Sequence, residues 1–475
     1  MFFWQAFEAS HLPALMTVLR NEGRWDRSNA IYADGRVVLY DKNQAPGMSY
    51  FADASSEVFD LAALLHQLSL DGRLAGYEVT ERFYEVGSAA GLLELDAIWP
   101  TANQFEYAHR ASLPNRDRKG VGAWIENHQI LACAVVFLLT IAIRVALLPW
   151  MHIPKPAVHD EFSYLLASDT YASGRLTNPP HPFWQHFETF HVIQQPTYAS
   201  KYPPLPGLVL AWVGVLISTA LMCAAICWML QGWTSPGLTL LGALLVMLRL
   251  GIFDYWMNSY YGGAVPAIGG ALVFGAIARI VFRREFKHGA TLGAGLAILL
   301  TSRPYDFVVL GLISAAVLVW RKNLRPALLT AAVLSIAVAA MAYNNYRVTG
   351  SALTLPYQLH EQQYSVTSLF VWSKAHAEPV YHHAVMRKFW AEWFVNKSNA
   401  AQADRVGSFF ARLSDLYSFF FGFWPLFIPL LIWPYRLKTP EERLTAILLG
   451  ASLIAIVAPL AGTMPHYVAC IACLL

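Results

Sequence analysis

The chain has little charge for its length. Charged residues make up 14% of its 475 positions, whereas hydrophobic residues make up 56%. This balance argues against an ordinary soluble protein and is typical of a chain that crosses a membrane several times. The formal net charge is only +3 and no basic stripe is present, so no nucleic-acid partner is predicted.

Cysteine is also scarce, and all five cysteines lie in apolar runs. Such positions favour small packing side chains over a disulfide framework or a zinc site. The five are Cys133, Cys223, Cys227, Cys470 and Cys473.

Residues 1–120 contain no apolar run long enough to span a membrane. Asp34-Gly35 lies between two short β-type runs and predicts a two-residue hairpin turn. Leu61–Leu70 has the leucine spacing of a helix, and another short helical pattern begins at Glu94. We therefore expect a small soluble α/β segment at the amino end.

From residue 129 onward the chain contains recurrent apolar runs of about 20 residues, each long enough to cross a bilayer. They predict a polytopic α-helical membrane protein with about nine spans and a truncated tenth that begins at Val468. The predicted spans lie near 130–150, 206–230, 237–257, 263–281, 288–303, 305–320, 326–344, 414–434 and 444–462.

Basic clusters between these spans predict the orientation, because cytoplasmic loops of membrane proteins are rich in lysine and arginine. The clusters all fall on one side, which places the amino-terminal segment in the cytoplasm and the long loops 151–205 and 345–413 on the opposite, periplasmic side. The clusters are Arg116-Asp117-Arg118-Lys119, Arg283-Arg284-Glu285-Phe286-Lys287, Arg321-Lys322-Asn323-Leu324-Arg325 and Tyr435-Arg436-Leu437-Lys438.

Two adjacent carboxylates, Asp160 and Glu161, follow the first predicted span. Carboxylates near a membrane are costly to desolvate and tend to face a water-filled cavity or a cation. One interpretation is an exposed pair in a loop. The other is a catalytic pair, in which one carboxylate deprotonates or orients an acceptor and the other orients a partner.

Three cations on the same predicted side are candidates for binding a phosphate. Arg303 precedes a proline at the end of a span, and guanidinium geometry suits phosphate. It could equally be an interfacial arginine paired with Asp306. Lys201 and Arg347 are the other two candidates, and Lys201 could also be an ordinary interfacial anchor.

Histidines and tyrosines on this side are predicted to line the cavity around the carboxylates. For a single histidine at a helix start, a structural role is the simpler alternative. The predicted lining residues are His159, Tyr202, His186, His466 and Tyr467.

The histidines of the first long loop do not predict a zinc site. His181, His186 and His191 are spaced by five, which is irregular for ligands on one helix. No metal ligands are therefore predicted, although the carboxylates leave dependence on a divalent cation open.

Residues 129–475 resemble the GT-C superfamily of membrane glycosyltransferases, in the branch of dolichyl-phosphate-mannose protein mannosyltransferase-like and RgtA/B/C/D-like enzymes. The resemblance implies a polyprenyl-phosphate-linked sugar donor, inverting chemistry and an essential acidic residue in the first periplasmic loop, which maps to Asp160. It rests on His159-Asp160-Glu161-Phe162-Ser163-Tyr164, Gly174-Arg175-Leu176-Thr177-Asn178-Pro179, Lys201-Tyr202-Pro203-Pro204, Ser302-Arg303-Pro304-Tyr305, Asn345-Tyr346-Arg347-Val348-Thr349-Gly350 and His466-Tyr467.

The amino-terminal segment is similar to the carboxyl-terminal half of sugar-phosphate nucleotidyltransferases. Asp53 corresponds in place to the second metal-binding aspartate of that family, but the glycine-rich nucleotide loop is missing, so we expect no nucleotidyl transfer. The chain is thus expected to begin within one domain and to end within a helix. The matching stretches are Pro13-Ala14-Leu15-Met16-Thr17-Val18, Asn21-Glu22-Gly23-Arg24-Trp25, Tyr40-Asp41-Lys42 and Glu81-Arg82-Phe83-Tyr84-Glu85-Val86-Gly87-Ser88.

The leading hypothesis is an integral-membrane glycosyltransferase that acts on a lipid, polysaccharide or protein acceptor in the periplasm. A transporter or flippase of polyprenyl-linked sugars is the alternative, although the chain lacks the paired halves typical of transporters. An inactive truncated remnant of a nucleotidyltransferase–glycosyltransferase fusion is a third hypothesis.

Overall fold

The structure is a computed structural model that describes residues 7, 9–21, 28–41, 50–51, 61–79, 128–322, 324–422 and 439–474. The chain divides into two compact units, Met1–Asn115 and Arg116–Leu475.

Five short strands of the first unit close into a small barrel in the order β1-β4-β2-β3-β5. The β1–β5 pair is parallel and the other pairs are antiparallel. Alternate side chains such as Met16 and Val18 point into its core. The strands are β1 (Ala14–Arg20), β2 (Ala30–Ala33), β3 (Arg36–Tyr40), β4 (Tyr50–Phe51) and β5 (Leu74–Val79).

The predicted hairpin is confirmed, since β2 and β3 pair across Asp34-Gly35. Both turn residues have positive φ, +47° and +76°, as a tight hairpin turn requires. The predicted helix is also present as α1 (Leu61–Leu70), which packs against β3. Asp53, residues 81–88 and the helical pattern from Glu94 lie outside the described residues.

The second unit is predominantly helical. Its longer helices are α2 (Gln129–Ala146), α3 (His159–Ala172), α4 (Pro204–Trp212), α5 (Gly214–Trp233), α6 (Pro236–Arg249), α7 (Ala264–Val281), α8 (His288–Ser302), α9 (Pro304–Trp320), α10 (Leu324–Thr349), α11 (Pro356–Tyr364), α12 (Ala384–Arg387), α13 (Phe394–Ala403), α14 (Arg405–Phe421) and α15 (Pro440–Val457). Short elements complete it: 3₁₀ turns Trp184–Phe187 and Pro465–Ile471, a π-helical turn Lys388–Trp393, and a hairpin of β6 (Val192–Ile193) and β7 (Ala199–Ser200).

Four helices in the described residues, α2, α5, α7 and α10, are long and apolar enough to cross a membrane. Three shorter apolar helices, α6, α8 and α9, lie among them. The chain is therefore a helical protein of membrane type, as its composition predicts. The count of about nine spans stays a prediction.

Three of the predicted spans differ from the structure. The span near 237–257 is helical only as α6, which ends at Arg249. The span near 206–230 is divided into α4 and α5, because the chain turns at Gly214, whose φ is +76°. The helix expected from Val468 is instead a buried 3₁₀ turn. Residues 423–438, which contain most of the predicted span 414–434 and the basic cluster Tyr435–Lys438, lie outside the described residues, as does the cluster at Arg116.

Helix α7 lies at the centre of the second unit, and nearly all of its residues are buried. It packs against α5, α8 and the carboxyl-terminal 3₁₀ turn. Small residues make these approaches close: a Cβ at Gly270 would lie 1.6 Å from the carbonyl oxygen of Cys470. Glycine is required here because backbone fills the space that any side chain would take.

Basic residues of the α7–α8 and α9–α10 connections lie at the same end of the helices. Arg321 donates to the carbonyl of Val281 at 2.9 Å, and Arg283 donates to the carbonyl of Gln231 at 3.0 Å. These carbonyls belong to the last turns of α7 and α5. The start of α3 lies beside the opposite ends of the helices, where Tyr260 of the α6–α7 loop donates to Glu161.

Candidate functional site

Glu161 holds the start of α3 in place. Its carboxylate accepts hydrogen bonds from the backbone N–H groups of Ala157 at 2.7 Å and Val158 at 2.9 Å, and from that of Tyr260 at 3.0 Å. The side chain is 3% exposed. A carboxylate at a helix start is well placed for this role, because the first N–H groups of a helix have no partners within it. The expectation that both adjacent carboxylates face one cavity is thus not met for Glu161.

Asp160 points to a separate cluster of polar side chains. Its Oδ1 accepts a hydrogen bond from the hydroxyl of Tyr202. Its Oδ2 lies 3.2 Å from Nδ1 of His159 and 3.5 Å from Nε2 of His191. The carboxylate is 29% exposed, so it remains accessible to a substrate.

The short β6–β7 hairpin brings the other members of the cluster to Asp160. The backbone N–H of Lys201 donates to the carbonyl of His191 at 3.1 Å, which holds the two ends of the hairpin together. Ser163 of α3 donates to the same carbonyl at 2.7 Å and lies 2.8 Å from the hydroxyl of Ser200. These contacts fix His191 and Lys201 against the first turns of α3.

Lys201 carries a buried positive charge, with 4% of the residue exposed. Its Nζ lies 4.7 Å from the ring centre of Tyr357 and 5.3 Å from those of Tyr202 and Trp390. It makes no ion pair within the part of the chain that the structure describes. Burial lowers the pKa of Lys201 to about 8, although the charges of Asp160 and Glu361 oppose this shift.

The pKa of Asp160 is set by opposing effects. Burial raises it, but the hydrogen bond from His159 and the positive potential of His191 lower it, and so do Tyr202 and Lys201. The net pKa lies well below the usual range of an aspartate. Asp160 is therefore an anion at neutral pH, ready to accept a hydrogen bond or bind a cation.

Arg303 adds a second cation at the junction of α8 and α9. Its guanidinium lies 4.6 Å from the ring centre of Tyr467 and borders a cavity that Tyr164 and Tyr261 also line. Tyr164 in turn stacks on Tyr202 at 4.2 Å, which connects this cavity to the Asp160 cluster. Within the described residues, the Arg303 guanidinium has no hydrogen bond and no salt bridge, although the Asp306 carboxylate lies within electrostatic range of it.

Of the remaining predicted residues, His466 lies near the cavity beside Arg303, whereas Arg347 and His186 are exposed elsewhere. His466 is buried and lies next to Tyr467, with Nδ1 2.9 Å from the hydroxyl of Tyr255. Arg347 is exposed and instead donates to the hydroxyl of Tyr343 at 3.1 Å. His186 is exposed in a 3₁₀ turn. The structure thus does not bring Arg347 or His186 to the cluster.

Several site residues were not singled out from the sequence. Tyr357 and His360 come from α11, and Trp390 comes from the π-helical turn. His360 is fully buried, and neither of its ring nitrogens has a hydrogen-bond partner in the described residues. The strands around His191 are two residues long, so no periodic pattern in the sequence marks them.

The cluster also contains a set of atoms suited to a metal ion. One ring nitrogen of His159, one of His191 and a carboxylate oxygen of Asp160 all lie within 4.8 Å of one another. The sequence predicts no metal site from His181, His186 and His191, whereas this set combines His191 with His159 and Asp160 at the start of α3.

We compared the chain with known protein families, curated proteins and solved structures. No family model, no curated protein and no solved structure matches this chain. A function must therefore be inferred from the residues and their geometry.

Proposed function

We propose that this protein is an integral-membrane glycosyltransferase of GT-C-like architecture, with about nine spans, in the bacterial inner membrane. It would transfer a sugar from a polyprenyl-phosphate donor to a lipid, polysaccharide or protein acceptor, with inversion and on the periplasmic side. The amino-terminal segment would then lie in the cytoplasm. The proposal rests on an accessible anion, Asp160, with the Lys201 cation within electrostatic range of it. A second cation, Arg303, borders the cavity that the stacked rings of Tyr164 and Tyr202 connect to this cluster. Neither cation forms a salt bridge within the described residues.

Cations that form no salt bridge near a membrane require a physical explanation. A desolvated charge without close ion pairing destabilises a protein, so it often marks a place where a ligand or a reaction uses it. Lys201 is buried and Arg303 is half-buried, and both lie beside aromatic rings and near apolar helices. Carboxylates lie within electrostatic range of both, namely Asp160 and Glu361 for Lys201 and Asp306 for Arg303. A phosphate attached to a polyprenyl chain has the matching chemistry, because its anion can bind the cations while its chain remains in lipid.

The chemical step follows from these positions. An acceptor hydroxyl attacks the anomeric carbon of the sugar, the bond from that carbon to the phosphate oxygen breaks, and the phosphate leaves with the electron pair. Asp160 receives the hydroxyl proton, while Lys201 and Arg303 stabilise the charge on the leaving phosphate. A bound phosphate also offsets the Lys201 charge, which removes one of the contributions that lower the Asp160 pKa.

The test is the Asp160→Asn variant of the full chain in membrane vesicles. The vesicles are supplied with undecaprenyl-phosphate donors that carry radiolabelled sugars, and label in a product is measured. Loss of a general base is expected to lower the transfer rate by roughly 10²-fold or more. Asp169→Asn is the matched control, because Asp169 is an exposed carboxylate on the same helix.

Two outcomes would contradict the proposal. Transfer at an unchanged rate in Asp160→Asn would remove Asp160 from the reaction. Movement of labelled lipid across the vesicle membrane without any covalent product would indicate a transporter instead.

A further inference from the structure

We propose that His159, Asp160 and His191 form a binding site for one divalent transition-metal ion, of which Zn²⁺ fits best. Two imidazole nitrogens and one carboxylate oxygen are a ligand set that zinc uses in proteins. The site itself follows from the geometry alone, whereas the role given to the ion below rests on the proposed glycosyl transfer.

The separations of the three ligand atoms agree with a tetrahedral ion. Nδ1 of His159 lies 2.9 Å from Nε2 of His191, and these nitrogens lie 3.2 Å and 3.5 Å from Oδ2 of Asp160. Zinc bonds of about 2.0–2.1 Å at tetrahedral angles place neighbouring ligand atoms about 3.3 Å apart. The three atoms thus already form a triangle of the required size.

Hydrogen bonds between the two histidine nitrogens and Oδ2 of Asp160 cannot give all three atoms a suitable partner. Each neutral imidazole has one N–H group and one lone pair, and an ionised carboxylate has no proton. If both histidines turn an N–H toward Oδ2 of Asp160, the two donors face each other at 2.9 Å. If only one does, the lone pair of the other faces the carboxylate oxygen. One cation between three lone pairs satisfies all of them.

The surroundings hold these ligands in place. Tyr202 donates to the second oxygen of Asp160, and Ser163 holds the backbone of His191. The ring of His159 packs against those of Phe190 and Phe389, with centres 4.7 Å and 5.4 Å away. Hydrogen-bonded and apolar outer contacts of this kind orient metal ligands in proteins.

Three protein ligands leave a fourth zinc position open, which is the arrangement of catalytic rather than structural zinc sites. In the proposed transferase, the acceptor hydroxyl would occupy this position. The ion would lower the pKa of that hydroxyl, so that its proton could pass to water, and with the ion bound Asp160 would act as a metal ligand rather than as the base. The positive charge of Lys201, which lies within electrostatic range of His191, opposes a second cation.

Metal binding can be measured without any activity. The full chain is purified in detergent, stripped with a chelator and titrated with Zn²⁺ by calorimetry, while Co²⁺ absorption reports tetrahedral coordination. We expect one ion per chain and at least a tenfold loss of affinity in His191→Ala and in His159→Ala. His186→Ala, an exposed histidine of the same loop, should bind as the wild type does.

Further variants keep the test decisive if His191→Ala does not fold. His191→Gln preserves most of the side-chain volume, and Asp160→Asn removes the charged ligand without changing its shape; both should also lose at least tenfold in affinity. Lys201→Met should tighten Zn²⁺ binding, because it removes the opposing charge. Wild-type protein that binds no Zn²⁺, or ligand variants that bind it unchanged, would overturn the site.

The metal site and the proposed function can fail separately. Sugar transfer that persists after chelation, in a chain that binds no Zn²⁺, would refute the site and leave the transferase standing. Stoichiometric Zn²⁺ binding that depends on His159 and His191, in a chain that forms no glycosylated product, would support the site and refute the transferase.

Discussion

Lys201 gives the sharpest test of the phosphate subsite, because its charge is costly to bury. Lowering its pKa from 10.5 to about 8 corresponds to roughly 3 kcal/mol of destabilisation of the charged form. In Lys201→Met an uncharged chain of similar length replaces the ammonium. We therefore expect this variant to be at least as stable as the wild type, and to bind a phosphate ligand less well.

The loss of phosphate affinity in this variant and the pH dependence of affinity in the wild type both follow from the charge of Lys201. A hydrogen bond from a charged group contributes about 1.5–3 kcal/mol, so Lys201→Met should weaken binding of a phosphate by roughly 10- to 100-fold. An anion binds the protonated lysine, so affinity is complete below the pKa and is lost as the pH rises through it. In the wild type, affinity should fall roughly tenfold for each pH unit above about pH 8.

The assay is equilibrium binding of undecaprenyl phosphate, the part that all proposed donors share, to the purified chain in lipid nanodiscs. Binding is measured between about pH 7.5 and about pH 9.5, a range that brackets the lowered lysine pKa, and thermal unfolding is followed in parallel. Lys155→Met is the control, because Lys155 is an exposed lysine of the same loop. A Lys201→Met variant with the affinity or the pH dependence of the wild type would contradict a phosphate-binding role for Lys201.

Two further predictions concern residues that the structure assigns to the fold. Glu161→Gln should lower the free energy of unfolding by about 1–3 kcal/mol, since the buried carboxylate accepts hydrogen bonds from three backbone N–H groups. If the variant kept its stability but lost as much transfer rate as Asp160→Asn, the structural role of Glu161 would be contradicted. Gly270→Ala should destabilise the chain by about 1–3 kcal/mol or more, because its Cβ would overlap a backbone carbonyl. Gly311→Ala, with open space around its Cβ, is the matched control in thermal unfolding, and equal stability of the two variants would show that the close approach is absent.

Local features of the fold could be predicted from the sequence, because short-range physics sets them. The hairpin at Asp34-Gly35 follows from the positive φ that these residues tolerate, and α1 follows from the spacing of its leucines. The long apolar helices can be predicted because each corresponds to a run of apolar side chains long enough to cross a bilayer. Interruptions were harder to predict. Gly214 ends α4 inside an apolar run because its positive φ turns the chain, and hydrophobicity carries no signal for such a turn.

The candidate site was only partly predictable. Asp160, Lys201 and Arg303 could be selected from the sequence because placing charge beside a membrane is costly. The structure places Lys201 within electrostatic range of Asp160, and it connects Arg303 to them through the stacked rings of Tyr164 and Tyr202. Asp160 and Glu161 are adjacent, yet a helix start directs one carboxylate to the cluster and the other to backbone N–H groups. Arg347, equally plausible from its motif, lies on the exposed side of α10.

Composition and periodicity alone indicate that the chain is rich in apolar helices and that basic clusters lie between them. Which of the polar residues come into contact depends on how the helices and loops pack. His191 reaches His159 across 32 positions because a two-stranded hairpin folds back on α3, and no local pattern encodes that contact. Composition and periodicity depend on neighbours along the chain, whereas a ligand set depends on neighbours in space.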